Sequence, residues 1–396
     1  MLGVASFGIV VASAVGGWIF ASLRHGSVPQ PPQAASTTQA PVADDSIRLI
    51  AMGDMLAHDS VNSNAKTASD YDYTKFFKNV STLTSKGDIR FCNQEGLSAG
   101  ETFGITGYPT FNAPAAFPRD LQKIGCNVIN LANNHMADKG QDAINATLDT
   151  WKALKPLVVA GANRDVQERD TVHYFEVKGV KVAEVSFNEI NNNAAAADYS
   201  VTLLKEPVVT NLMTEARKNA DFVMVSTHWG SYEDSTQVGP IEEQWTKRLT
   251  DLGADVIIGT GPHVLQRAEW QQAADGHKTF VWYSIGNFLS AQLTLQERIG
   301  GIAMLKLEKT GDAKAPVKIA KIGFMPTYMH YDWPAADRAA EKLTTRTNLA
   351  LYPLDQAESP LSRSGLNTTV AAQQKVVRDT LGKDVTVLTA AEAVSF

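Results

Sequence analysis

Six side chains stand out by type and position: Asp54, Glu95, Asn134, His135, His228 and His263. Each follows a short apolar run. "IRLIAM" precedes Asp54, "IRFCN" precedes Glu95, "NVINL" leads to Asn134 and His135, "DFVMVST" runs into His228, and "DVIIGT" enters a turn carrying His263. Carboxylate oxygens, imidazole nitrogens and an amide carbonyl are a mixture that a divalent cation accepts, and a hydrolytic site leaves one position open for water. With two cations roughly 3.5–4 Å apart, a carboxylate can hold both while a bridging hydroxide attacks phosphorus or a carbonyl carbon. Glu95 is the candidate bridge; Asp54, Asn134, His228 and His263 complete the candidate metal set. His135 is the candidate catalytic residue, turned toward substrate to stabilise a transition state or protonate a leaving group.

Taken singly, each residue has a plainer reading. Asp54 could be a turn or cap residue, Glu95 in "NQEG" an exposed loop acid, and His228 in "STHWG" a satisfied core histidine beside Trp229. Asp138 in "HMADKG" reads as a helix N-cap, and His173, His277 and His330 read as structural. The shared position at strand ends is what favours the chemical reading, because open α/β sheets place their sites at the carboxyl ends of strands.

Five β-like runs deliver these groups, and helix-like segments with three-to-four apolar spacing lie between them, which is the pattern of an α/β domain. "AAFPRDLQKIG", "QDAINATLDTWKAL" and "IEEQWTKRLTDLG" are examples. Beyond about residue 278 the chain turns β-rich, as a second sheet packed on the first requires. From about Ala335 it reads as helical again, ending in "TTVAAQQKVVRDTLGK".

With 396 residues, 44% of them hydrophobic, the chain can bury a large core. A net charge of −6 excludes a broad nucleic-acid face. The two cysteines, Cys92 and Cys126, exclude a disulfide framework. Buried inert thiols are the expectation, with one Cys92–Cys126 bridge as the alternative. Residues 1–23 are uncharged and long enough to cross ~30 Å of hydrocarbon. The expected organisation is a membrane anchor or signal-like helix at 1–24, a Pro/Ser/Thr-rich tether at 25–46, a main domain at 47–333, and a helical extension at 334–396 packed on it.

The ordered segments "GDMLAHDSV", "NQEG", "GYPTFNAP", "NLANNHMADKG", "HWG", "GTGPHVLQ" and "YSIGNFLSAQ" resemble the CapA family of bacterial capsule (poly-γ-glutamate) synthesis proteins, over about residues 47–331. The resemblance implies a metallophosphoesterase-like sandwich of two mixed β-sheets flanked by helices. It also implies ligand roles for Asp54, Glu95, Asn134, His228 and His263, and a substrate-facing role for His135. One departure matters: where the family reads Gly-Thr-His-Pro-His, this chain has Gly261 in place of the first histidine. The second of one or two metal sites thereby loses a ligand, and restoring a histidine at 261 is expected to raise metal stoichiometry. His58, four residues after Asp54, is a candidate additional ligand or a partner of Asp54. The residue types do not distinguish Mn, Zn, Fe or Mg.

Two function classes follow. One is a membrane-anchored extracytoplasmic hydrolase, phosphoesterase-like or cleaving a γ-glutamyl amide, that acts in the synthesis, anchoring or trimming of a surface polymer. The other is a non-catalytic subunit that binds polymer or braces a capsule synthase. Both imply an anionic cell-surface polymer as partner, and an acidic protein repels such a chain unless cations intervene. Bound metal and the candidate substrate-binding residues Lys139, Arg267 and Arg298, if gathered near the strand ends, would supply that local positive field.

Overall fold

The computed structural model describes residues 45–312 and 316–396. The expected membrane helix, and all but the last two residues of the expected tether, lie outside the described residues. Among the described residues no helix is long and apolar enough to cross a membrane.

Among the described residues fifteen strands form two mixed sheets. In chain order they are β1 (Ile47–Leu56), β2 (Ile89–Glu95), β3 (Val128–Asn130), β4 (Val158–Ala160), β5 (His173–Val177), β6 (Val180–Asn188), β7 (Phe222–His228), β8 (Val256–Thr260), β9 (Ala268–Gln272), β10 (Lys278–Trp282), β11 (Asn287–Leu289), β12 (Ile299–Lys309), β13 (Val317–Asp332), β14 (Thr347–Pro353) and β15 (Thr386–Val387). The first sheet runs β14-β13-β12-β1-β2-β3-β4, with β11 beside β1 and β15 beside β13; the second runs β5-β6-β7-β8-β10-β9. Strands β1 to β4 are parallel to one another, as are β6, β7, β8 and β10; β11 and β15 also pair in parallel, while the remaining ladders are antiparallel.

The apolar runs explain the layering. Every residue of β7 and β8 is buried, so no polar alternation is left to face water. One core lies between the sheets, where Leu49, Ala51, Phe91 and Val128 of the first meet Val182, Met224, Ile258 and Trp282 of the second. A second core joins the outer face of the first sheet to helices Ala116–Lys123 and Gln141–Leu154. A third joins the outer face of the second sheet to helix Val208–Asn219 and to Leu249 of helix Pro240–Asp251. The result is the expected sandwich of two sheets flanked by helices. Phe91 is fully buried between the sheets, so Phe91→Ala would remove about 3–5 kcal/mol of stability.

Three expectations change. Residues 334–396 are not only helical: β14 pairs with β13 along a five-position register and β15 adds a short parallel partner, so this segment completes the first sheet. Cys92 and Cys126 are not thiols but a buried disulfide with Cα atoms 5.7 Å apart, tying β2 to the turn before β3. The turn that leads into β3 carries Cys126 against β2, with the Cys126 amide donating to the Leu121 carbonyl and the Asn127 amide to the Arg90 carbonyl. Asp54 lies within β1 rather than after it. A register shift between Met52 and Asp54 re-aims the carboxylate, because Gly53 passes so close to Gly286 that a Cβ would sit 1.8 Å from its carbonyl oxygen.

Candidate metal centre

The strand ends of both sheets deliver their groups to one place. Asp54 comes from the bulged end of β1, Glu95 is the last residue of β2, and His228 is the last residue of β7. Asn134 follows β3 by one short turn, and His263 follows β8 in a left-handed conformation, φ 62°. The paired amides of "NLANNHMADKG" divide their work. Asn133 donates to the Gln94 carbonyl at 2.9 Å and accepts from the Gly96 amide at 3.1 Å, clamping its turn to the end of β2. Trp151 of helix Gln141–Leu154 fixes the same end by donating to Gln94 Oε1 at 2.9 Å. Asn134 is thereby held beside Glu95 with its own amide turned into the site.

Asp54, Glu95 and His228 have ligand atoms within 4.8 Å of one another, and all three are buried. His263 joins them, with Nδ1 3.3 Å from Asp54 Oδ2 and Nε2 3.9 Å from Glu95 Oε1. His228 Nε2 lies 3.9 Å from Glu95 Oε1 and 3.1 Å from Asn134 Oδ1. All five ligands expected from the strand ends therefore converge.

The charges are strongly perturbed. Burial works against ionisation of Asp54, but the His263 hydrogen bond, the His263 and His228 charges and the Gly261 amide hold its pKa below the usual range. Burial lifts the Glu95 pKa well above normal, against the pull of His263 and with help from Asp54 and Glu233. His228 is driven down to about 3 by burial. Burial also works against a charge on His263, yet Glu95, Asp54 and Glu233 raise its pKa to about 10.

Two features fit a cation. Glu95 is 1% exposed, and neither of its carboxylate oxygens has a hydrogen-bond partner, an arrangement that costs about 1–3 kcal/mol or more unless something else satisfies it. The second feature is the convergence of an imidazole nitrogen and an amide oxygen beside that carboxylate. His228 Nδ1 lies 3.1 Å from Thr260 Oγ1 and its Nε2 lies 3.1 Å from the Asn134 carbonyl oxygen, while the Asn134 NH2 group faces the Glu233 carboxylate at 3.4 Å. A divalent cation accepts a carboxylate oxygen, an imidazole nitrogen and an amide oxygen together.

Gly261 occupies its position for a backbone reason. Its N–H donates to both Asp54 oxygens at 3.1 and 3.3 Å, its φ is 105°, and a Cβ there would sit 2.1 Å from the Trp229 carbonyl oxygen. The expectation that a histidine at 261 simply restores a ligand is therefore corrected: any side chain on this backbone collides with Trp229.

His135 stands beside the ligands at the wall of an open cavity of about 700 Å³, lined also by Tyr108, Thr110, Asn134, Asn192 and Glu233. Its Nδ1 lies 2.8 Å from Asp138 Oδ2, and its ring meets the edge of Phe111 at 4.7 Å. Asp138 is thus not the expected N-cap; the cap of the following helix is Gly140, and Asp138 orients His135 while accepting from the Phe111 amide. The i, i+3 spacing in "HMAD" was the available signal. His58 packs edge-on against Phe111 at 5.2 Å and accepts from the Ala291 amide at 3.3 Å, and burial with the charges of Arg346, His263 and His135 drives its pKa down to about 3.

Two of the three candidate substrate-binding cations are engaged by other partners. Arg267 is engaged by Glu243 and Glu269 and lies over Tyr283. Arg298 is 3% exposed, bonded to the Met329 carbonyl and stacked 4.0 Å from Tyr331. Only Lys139, half-buried on the turn after His135, stays near the site in sequence. Sequence reasoning did not find Asn93, whose amide donates to Asp54 at 2.6 Å, or Asn287, whose carbonyl oxygen faces His263 Nδ1 at 3.1 Å. It missed Glu233 as well.

Residues 48–292 match the family described as Bacterial capsule synthesis protein PGA_cap, more than half of the chain, and the protein belongs to that family. It is 30% identical over 201 residues to the PGA biosynthesis protein CapA of Bacillus subtilis (strain 168), covering 50% of this chain and 51% of that one. It is 32% identical over 202 residues to the Capsule biosynthesis protein CapA of Bacillus anthracis, covering 49% of this chain and 47% of that one. The chain therefore spans about half the length of the curated relatives it matches. Among solved structures, a hypothetical protein from Thermus thermophilus superposes with TM-score 0.40 at 17% identity, over 77% of this chain and 98% of that one. The calcineurin-like phosphoesterase YfkN from Bacillus subtilis gives 0.41 at 15% identity, over 81% and 98%.

Proposed function

We propose that this protein acts outside the cytoplasm, anchored by its N-terminal apolar segment, on an anionic capsule polymer of the poly-γ-glutamate type, through a divalent-metal hydrolytic centre. The observation that carries the reading is Glu95, a buried carboxylate with both oxygens unpartnered among His228, His263 and Asp54. Family membership supports the capsule context. The Cys92–Cys126 disulfide suits an oxidising compartment, and residues 1–23 have the length and apolarity of a membrane span.

Asp54, Glu95, Asn134, His228 and His263 would hold the metal, which when bound supplies Lewis-acid polarisation and an acidified water. Asp54 is kept ionised by the Gly261 amide, Asn93 and His263, so it enters the site already charged. His135 presents Nε2 to the cavity because Asp138 holds Nδ1, and that nitrogen can donate a proton to a departing amine or alkoxide. Tyr108, 75% exposed at the cavity mouth, offers a face to polymer.

The second reading, a polymer-binding or synthase-bracing subunit without turnover, is favoured by Gly261, where the family's imidazole is missing. Hydrolysis of poly-γ-glutamate and of a phosphodiester by wild type and His135→Ala separates the two. Turnover that falls at least a hundredfold in the variant, with Mn²⁺ binding unchanged, supports the enzyme. Retained polymer binding with no turnover in either protein supports the second reading.

A further inference from the structure

The loop that follows His228 ends beside Gly261. Glu189 accepts from the amides of Gly230 and Ser231 and from the Ser231 hydroxyl, which fixes the loop where it leaves β7. Asp234 N donates to the Pro262 carbonyl at 2.9 Å, and Gln266 Nε2 holds the Ser235 and Gln237 carbonyls at 3.1 and 3.2 Å. Glu233 lies between these anchors, one residue from the one bonded to Pro262, which itself follows Gly261. Its carboxylate reaches the cavity wall, 3.4 Å from the Asn134 amide nitrogen. Among the described residues no lysine or arginine forms an ion pair with it; beyond burial, the groups that act on it are His263, Asp234, His135 and Asp54.

We propose that Glu233 supplies to the second metal position the ligand that Gly261 does not. This rests on the metal-centre reading above. The sign that a cation is expected in this pocket is again Glu95, whose two buried oxygens both lack hydrogen-bond partners. With Glu233 included, the second position draws on Glu95, Asn134, Glu233 and His228, three oxygens and one nitrogen. Exchanging an imidazole for a carboxylate adds negative charge and hardness, so that position takes Mn²⁺ or Mg²⁺ in preference to Zn²⁺. A carboxylate from a loop also explains how the chain can keep Gly261 for its backbone bond to Asp54 without giving up the second ion.

The test is Mn²⁺ titration of the full chain in detergent, with bound metal counted by elemental analysis and by the spin-coupled signal of a manganese pair in electron paramagnetic resonance. Wild type is expected to hold two ions and show coupling. Glu233→Gln is expected to hold one, the second affinity falling roughly 10–100-fold or more, with the coupled signal lost. Glu233→His is expected to restore two ions and to shift the second toward Zn²⁺. Because Glu233 is exposed on a loop, the variants should keep the wild-type melting temperature in chelator. Two coupled ions retained in Glu233→Gln at wild-type affinity would overturn the proposal while leaving the metal centre standing. A wild type holding only one ion would also overturn it, and a wild type holding none would overturn the metal centre as well.

Discussion

Glu95→Gln should make the protein more stable without metal and less responsive with it. Glu95 is 1% exposed and both carboxylate oxygens lack partners, so in chelator the side chain weighs against folding. Replacing it with a neutral amide of the same shape should recover about 1–3 kcal/mol. At about 2.1 cal/mol/K of unfolding entropy per residue, the unit Asp45–Phe396 unfolds with roughly 0.7 kcal/mol/K, so that gain raises Tm by about 1.5–4 °C. Mn²⁺ at a hundred times its Kd stabilises wild type by about 2.7 kcal/mol per ion, or about 4 °C per ion, whereas the variant should shift little because it has lost the bridge. Differential scanning calorimetry of both proteins, in EDTA and in Mn²⁺, measures all four midpoints. A variant less stable than wild type in EDTA would show that Glu95 serves the fold. Equal Mn²⁺ shifts in the two proteins would show that it does not hold metal.

Glu184 lies in the second sheet, fully buried, with burial lifting its pKa to about 8 against the hydroxyls of Ser226 and Ser186. Between 4.5 and about 8 the unfolded chain is ionised while the folded one keeps its proton, so stability falls as pH rises through that window, by at most roughly 4–5 kcal/mol. Glu184→Gln should flatten the Tm profile and gain most at pH 8; parallel profiles for variant and wild type would refute the assignment. Gly261→Ala places a Cβ 2.1 Å from the Trp229 carbonyl at φ 105°, so a loss of about 3 kcal/mol or more is expected from urea midpoints, and a silent substitution would contradict the geometry. Replacing Cys92 and Cys126 by Ala opens a loop of 34 residues and should remove about 3–4 kcal/mol; an unchanged midpoint under non-reducing conditions would argue against the bond.

The strands and their terminal ligands were legible because apolar runs buried on both faces leave few polar residues, and those at the ends stand out against them. His228 after "DFVMVST" and Glu95 after "IRFCN" show this. What stayed hidden depends on partners distant in sequence. Asn93 reads as one more strand residue until β1 and β2 pair and bring it to Asp54. Asp138 resembles a cap until the turn folds it back on His135. Gly261 reads as a lost ligand, and only the close approach of Trp229 shows that the position excludes a side chain. Arg298 carries a charge that sequence assigns to the surface, yet Tyr328 and Tyr331 offer it faces on which to stack, and it is buried. The disulfide needed the turn before β3 to bring Cys126 against β2, which no local pattern encodes.

Anomalous diffraction from crystals equilibrated with Mn²⁺ tests most directly whether the strand ends hold a cation. A peak is expected within ligand distance of Glu95, Asp54 and His228, with His263 and Asn134 turned toward it. Saturating Mn²⁺ with no peak in that pocket, or peaks only at surface carboxylates, would contradict the metal centre.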